Sequence, residues 1–339
     1  MPSTTRRPRA ALAMAPAAAA AVLGGRELAA LEEVCDLAPP PVLDDLATDR
    51  ARAVLAGTEL LVTGWGCPPL DEAVLARAPS LRAVVHTAGS VRGHITEACW
   101  ERGVEVSSAA AANAVPVAEY TVAMILLSGK RVLEQAREYR AGADREDWLR
   151  TPGHVGNYRR TVGILSASMT GRRVAELLRP HDLAVLLHDP FVSAAEAAAL
   201  GAEAVGLREL FERSDTVTVH TPLLEATRGL VSRELLEAMR HDAVLVNTAR
   251  GAVVDQEALV RAVSEGRIRA VLDVTEPDVL PPGHPLWACE GALITPHVAG
   301  SQGNEWRRLA AQAVAEAGRW ASGAGFAHPV LRERMPFLA

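Results

Sequence analysis

Three residue types able to handle a small anion and a proton fall within one stretch of this chain. Arg250 stands in N-T-A-R-G-A-V-V-D, His297 stands in T-P-H-V-A-G, and D-V-T-E-P-D between them carries Asp273, Glu276 and Asp278. A guanidinium grips a carboxylate through two parallel hydrogen bonds, which an ammonium cannot do. An imidazole titrates near neutrality, so it can give a proton to a carbonyl oxygen and take it back in reverse. A carboxylate beside the imidazole would orient it and favour its charged form. Such a set suits the binding and protonation of a small anionic carbonyl compound, with Arg250 and His297 touching it.

These residues need elements that bring them together. Each follows a short apolar run, at 244–246, 270–272 and 292–294. Short aliphatic runs that end in polar turns read as buried strands of a parallel sheet, and ligands bind beyond the carboxyl ends of such strands. Upstream, strands are expected over 161–165, 184–188 and 216–220, with helices over 171–179, 194–200 and 233–239. An earlier series places strands at 10–14, 60–63 and 82–86 and helices at 70–76 and 95–102. This alternation predicts two doubly wound α/β parallel sheets. A single helical pattern over 116–141 is apolar nearly all round in its first half, which predicts burial. A polar loop over 142–160 follows it, and a last helix is expected at about 304–323.

The turn after 161–165 reads Ser166-Ala167-Ser168-Met169-Thr170-Gly171. A dinucleotide loop uses glycine at the first, third and sixth of these positions, for a tight turn, close approach of the pyrophosphate and helix–strand packing. Only the packing glycine, Gly171, is present, so a cofactor loop and an ordinary turn both remain open on this segment alone. Asp189 lies 18 positions beyond Gly171, after the next strand. An acid there accepts hydrogen bonds from ribose hydroxyls and repels a 2′-phosphate, which favours NAD over NADP. The alternative is a turn carboxylate before Pro190. Thr221 and Pro222, past the strand at 216–220, either line the cofactor or close a loop.

The ordered set N-T-A-R-G-x-x-V-D, D-V-T and T-P-H-x-A-G resembles the D-isomer-specific 2-hydroxyacid dehydrogenases. Weaker similarity runs from about Arg7 to Trp306. The resemblance implies a Rossmann-like NAD-binding domain over 129–298, inserted into a discontinuous flavodoxin-like substrate domain over 1–128 and 299–339. It implies hydride transfer between NAD(H) and C2 of a small 2-oxo or 2-hydroxy acid, with D stereospecificity. Arg250 would hold the carboxylate and carbonyl, and His297 would exchange the proton. The resemblance places Ser166, Ser168, Met169, Thr170 and Gly171 at the phosphates. Asp189, Thr221, Pro222, Thr248 and Asp273 complete the expected cofactor contacts. Ser90 and Val91, in His86-Thr87-Ala88-Gly89-Ser90-Val91, are the expected substrate contacts in the first domain, and Asn113 either bridges the domains or caps a helix. The family glutamate that supports the histidine falls on Asp278, shorter by roughly 1.5 Å, with Glu276 as rival. These departures leave room for a catalytically impaired, nucleotide-binding regulatory relative. The resemblance also implies a homodimer.

Composition narrows the class further. At 339 residues the chain accommodates two full cores, and 35 basic against 41 acidic side chains give a net charge of −6. No overall field therefore favours nucleic acid or an anionic membrane. Lys130 is the one lysine, and the arginine- and alanine-rich usage points to a GC-rich bacterial coding sequence. Cys35, Cys67, Cys99 and Cys289 lack metal-ligand spacing, so no metal is expected and reduced thiols in the cytoplasm are. The basic start and the Ala-rich stretch after it have the outline of a leader peptide, but fit a tail, first strand and helix better. No bilayer-spanning stretch and no regulatory domain after the last helix are expected.

Overall fold

The structure, a computed structural model, describes residues 7–142 and 151–337. The start of the expected N-terminal tail and 143–150 of the expected polar loop lie outside these residues. The chain divides into two compact units, Met1–Asn113 with Ser301–Ala339, and Ala114–Gly300. The sequence reading placed the division at 128/129 and 298/299; most of the long helix instead belongs with the second unit.

In the first unit, β1 (Arg9–Ala13), β2 (Asp36–Leu43), β3 (Leu60–Thr63), β4 (Ala83–His86) and β5 (Glu105–Ser108) form a parallel sheet in the order β2-β1-β3-β4-β5. The short strand Pro329–Val330 adds antiparallel to β5. This is the flavodoxin-like order. Successive side chains face opposite sides of a strand. Ala11 and Ala13 accordingly join Leu61 and Val84 in one core, and Ala10 and Leu12 join Leu60 and Val62 in the other. The second core takes Leu309, Ala310, Ala313 and Ala317 from the helix Trp306–Ala321, which returns to this unit as expected.

The second unit has β6 (Thr161–Leu165), β7 (Ala184–His188), β8 (Glu203–Ala204), β9 (Thr216–Val219), β10 (Val244–Asn247), β11 (Arg269–Leu272) and β12 (Ala292–Ile294). All run parallel, in the order β8-β7-β6-β9-β10-β11-β12. The order reverses between β6 and β9, the switch point at which Rossmann-type sheets open a ligand crevice.

The helix expected over 116–141 is two helices, Ala110–Gly129 and Val132–Arg140, with Arg131 left-handed at φ 51°. The break is tertiary. Gly156 N–H donates to Gly129 O at 2.7 Å, and Asn157 Nδ2 donates to Leu126 O at 3.0 Å. These bonds satisfy carbonyls that a continuing helix would have used. A Cβ on Gly129 would lie 1.9 Å from Asn157 Oδ1. Contrary to the sequence reading, Ala110–Gly129 is long and apolar enough to cross a bilayer by length and composition. Its Ala118, Val122 and Ile125 are buried with Val162 and Ile164, and Tyr120 and Met124 pack on Val244, Val246 and Val271. It is the core helix of this sheet.

Candidate functional site

The turns after β6, β7, β9, β10, β11 and β12 lie at the carboxyl ends of one parallel sheet, and they carry most of the residues singled out from sequence. Ser166 adopts φ 80°, so it makes the tight turn usually left to glycine. Its N–H donates to His188 O at 2.8 Å, tying the loop to the end of β7. Ser168 caps the helix Met169–Leu178, its hydroxyl accepting from Gly171 N–H at 3.3 Å. A Cβ on Gly171 would lie 2.0 Å from Ser166 O, so only glycine lets this helix start so close to the turn. Met169 is half-exposed at the first helical position. The N–H groups of Met169 and Thr170, in a first turn, have no intrahelical acceptor and suit an anion.

Asp189 faces this loop. Its Oδ2 accepts from Ser166 Oγ at 3.1 Å and Ala167 N–H at 2.8 Å, and its Oδ1 accepts from Phe191 N–H at 2.9 Å. Past β9, His220 is buried, bonded through Nε2 to Thr218 Oγ1 at 3.0 Å, and burial lowers its pKa to about 3. The neighbouring Thr221 hydroxyl is buried without a hydrogen-bond partner among the described residues. A buried hydroxyl of this kind favours a polar ligand atom. The Gly171 cradle, the open first turn and the Thr221 hydroxyl together fit a dinucleotide. Pro222 closes the turn, its carbonyl accepting from Thr227 Oγ1 at 2.6 Å.

The loop after β10 is built by Asn247, which sequence reasoning missed. Its buried amide accepts from Ala249 N–H and donates to Arg250 O, both at 3.0 Å. Thr248 lies 3.2 Å from Thr121 Oγ1. Thr121 gives its own proton to Val117 O, so Thr248 is the donor. Arg250 is half-buried, with one guanidinium nitrogen on Ala249 O at 2.7 Å. Gly251 does not adopt a positive φ, so its requirement for glycine is not a left-handed turn. A Cβ there would fall 2.1 Å from Thr275 C and 2.2 Å from Thr275 O. The glycine allows the Arg250 loop to press on the Asp273–Asp278 loop.

Asp273 is 2% exposed. Its Oδ1 accepts from Thr295 Oγ1 at 2.6 Å and Val298 N–H at 2.8 Å, and its Oδ2 from Ala299 N–H at 2.9 Å. Its carbonyl accepts from His297 N–H at 3.0 Å. Asp273 thus folds the turn that presents His297, which is exposed and left-handed at φ 56°. Thr295 gives its proton to the carboxylate, so Tyr120 O–H donates to Thr295 at 2.8 Å and braces the turn from the long helix. Burial raises the Tyr120 pKa, which keeps the phenol protonated for that role.

Asp278 and Glu276 are both exposed. No hydrogen bond or ion pair joins either carboxylate to His297 among the described residues. Their loop is held through its backbone: Thr275 Oγ1 donates to Pro277 O at 2.7 Å, and Gln256 Oε1 accepts from Glu276 N–H at 2.8 Å. Gln256, in V-D-Q-E-A-L, also escaped the sequence reading. In the first unit, Ser90 is exposed in the turn after β4, whereas the Val91 side chain belongs to the core, leaving only its backbone for a ligand. Asn113 sits in the first turn of the long helix and accepts from Ser301 N–H at 3.0 Å, joining the places where the chain leaves and re-enters this unit.

Comparison with known proteins agrees with this architecture. The family model described as "D-isomer specific 2-hydroxyacid dehydrogenase, NAD binding domain" matches residues 122–299. The chain is 34% identical over 290 residues to a glyoxylate reductase of Aeropyrum pernix, covering 83% of this chain and 84% of that protein. It is 34% identical over 280 residues to a (S)-sulfolactate dehydrogenase of Chromohalobacter salexigens, covering 80% and 87%. Among solved structures, the TT0316 protein of Thermus thermophilus superposes with a TM-score of 0.72 at 30% identity, covering 95% of this chain and 100% of that one. With the two sheet orders and the turns beyond β10, β11 and β12, these matches establish that the chain belongs to the D-isomer-specific 2-hydroxyacid dehydrogenases.

Proposed function

We propose that this NAD-linked 2-hydroxyacid dehydrogenase reduces a small, glyoxylate-sized 2-oxo acid, with the second unit as its nucleotide domain and the first as its substrate domain. The observation that carries the reading is the joined set of turns after β10, β11 and β12: Gly251 seats the Arg250 loop on Thr275, and Asp273 folds the His297 turn. NAD, when bound, supplies or accepts the hydride. Arg250 grips the carboxylate and polarises the carbonyl, and His297 gives the proton to the carbonyl oxygen. Asp278, on the loop that follows Asp273, is the carboxylate we assign to orient His297. Ser90 and the Val91 N–H assist at the substrate carboxylate. The relatives named for glyoxylate and sulfolactate support a small anionic substrate.

Ser168, Met169, Thr170 and Gly171 form the proposed phosphate cradle, with Thr221, Pro222 and Thr248 along the nicotinamide half. Asp189 supports NAD over NADP, because a carboxylate beside the ribose repels a 2′-phosphate. The four free thiols accord with a cytoplasmic setting, and a homodimer follows the family pattern.

The test is NADH oxidation with glyoxylate and hydroxypyruvate. Wild type should turn over, His297→Asn should lose roughly 10²–10⁴-fold in kcat while still binding NADH, and Arg250→Lys should raise KM by roughly ten-fold or more. Tight NADH binding with no turnover of any 2-oxo acid would favour a regulatory relative instead.

A further inference from the structure

Asp189 is already heavily engaged. An ionised carboxylate has about four acceptor directions, two on each oxygen. Ser166 Oγ and Ala167 N–H take both directions on Oδ2, and Phe191 N–H takes one on Oδ1. One direction remains. The vicinal hydroxyls of an adenosine ribose bring two donors, so they cannot both reach Asp189 unless a protein donor leaves. The backbone donors are fixed by the loop. The serine hydroxyl is the one that can rotate away.

Ser166 is also the residue at which this loop departs from the glycine pattern. A glycine would hold the left-handed turn without strain and bring no hydroxyl. Ser166 keeps the turn at φ 80° and places its hydroxyl on the acid that the proposed dinucleotide needs. Resting on the cofactor reading above, we propose that the Ser166 hydroxyl is a built-in competitor for the ribose hydroxyls at Asp189. It sets the affinity of the adenosine half below what the loop would otherwise allow. Asp189 keeps its charge, so discrimination against a 2′-phosphate is unaffected.

The test compares wild type with Ser166→Ala, which removes the hydroxyl but keeps the Cβ and the backbone strain, and Ser166→Gly, which removes all three. NADH binding is followed by nicotinamide fluorescence. ADP and 2′-deoxy-ADP are titrated by calorimetry, and melting temperature reports folding. Both variants should bind NADH roughly three- to ten-fold more tightly, as expected for release of a charge-assisted bond. Wild type, with one open acceptor direction, should bind ADP and 2′-deoxy-ADP within about two-fold of each other, whereas the variants should prefer ADP by roughly three- to ten-fold. If Ser166→Ala folds poorly, Ser166→Gly carries the same readout. Variants that bind NADH no tighter than wild type, with ADP and 2′-deoxy-ADP still equal, would overturn the inference and leave dinucleotide binding standing. Failure of the wild type to bind NADH or ADP would overturn the cofactor assignment and this inference with it.

Discussion

At the scale of single residues, Asp273 does more structural work than its place after a strand implies. Three donors converge on its buried carboxylate, two of them backbone N–H groups of the turn that presents His297. Asp273→Asn would set an amide NH₂ against a backbone N–H. The expected cost is about 2–3 kcal/mol of stability, from lost charge-assisted bonds and an unsatisfied donor. Because the same turn holds His297 in a left-handed conformation, kcat should fall as well. Urea unfolding and steady-state kinetics check both, and a destabilised variant with unchanged kcat would separate Asp273 from the presentation of His297. The chemical groups themselves were legible: Arg250, Asp273 and His297 each follow an apolar run, and motif spacing marks them. Their supports were not. Tyr120 meets Thr295 across 175 positions of sequence, and Gln256 meets Glu276 across 20, on different elements. No local pattern encodes such partners.

At the scale of elements, periodicity located β6, β7 and β9–β12 because the faces of this sheet are covered, and missed β8, an exposed two-residue strand at the sheet edge. It failed where tertiary contact decides. The helical pattern over 116–141 continues through Lys130, but Gly156 and Asn157 cap the first helix from outside it. Strand β2 contains Pro39, Pro40 and Pro41, which supply no N–H to a ladder, and it survives as a strand because it sits at the sheet edge. Gly251 shows the same limit within a loop: the sequence marks a glycine, while the reason for it is the backbone of Thr275. Gly251→Ala would force the two loops apart, at about 1–3 kcal/mol for overpacking. Arg250 rides on the displaced loop, so KM for the 2-oxo acid should rise more than kcat falls. A variant with wild-type unfolding midpoint and wild-type KM would show that the contact yields without consequence.

At the scale of the whole molecule, both units bury neutral histidines, which ties stability to pH. In the first unit, Thr63 Oγ1 lies 2.9 Å from His86 Nδ1 and 3.1 Å from His94 Nε2, with the rings 4.4 Å apart. One hydroxyl can donate to one ring and accept from the other, an arrangement that needs a bare nitrogen on one imidazole. Burial pushes the His86 pKa down to about 3, with His94 adding repulsion, and burial alone pushes His94 down to about 4. His220 in the second unit is lowered to about 3, again by burial. A depressed folded-state pKa means that the unfolded chain binds protons the folded chain refuses. Stability from these groups is therefore complete above the ordinary histidine pKa near 6.5 and declines as pH falls from there toward 3–4. Each histidine contributes at most about 1.4 kcal/mol per pH unit across that window. Unfolding free energy measured between pH 7.5 and 4.5 should fall steadily. The slope should flatten more in the double variant His86→Asn, His94→Asn, which removes two protonation events, than in His220→Asn, which removes one. Equal slopes in wild type and both variants would mean that carboxylates elsewhere in the chain, and not these imidazoles, set its acid limit.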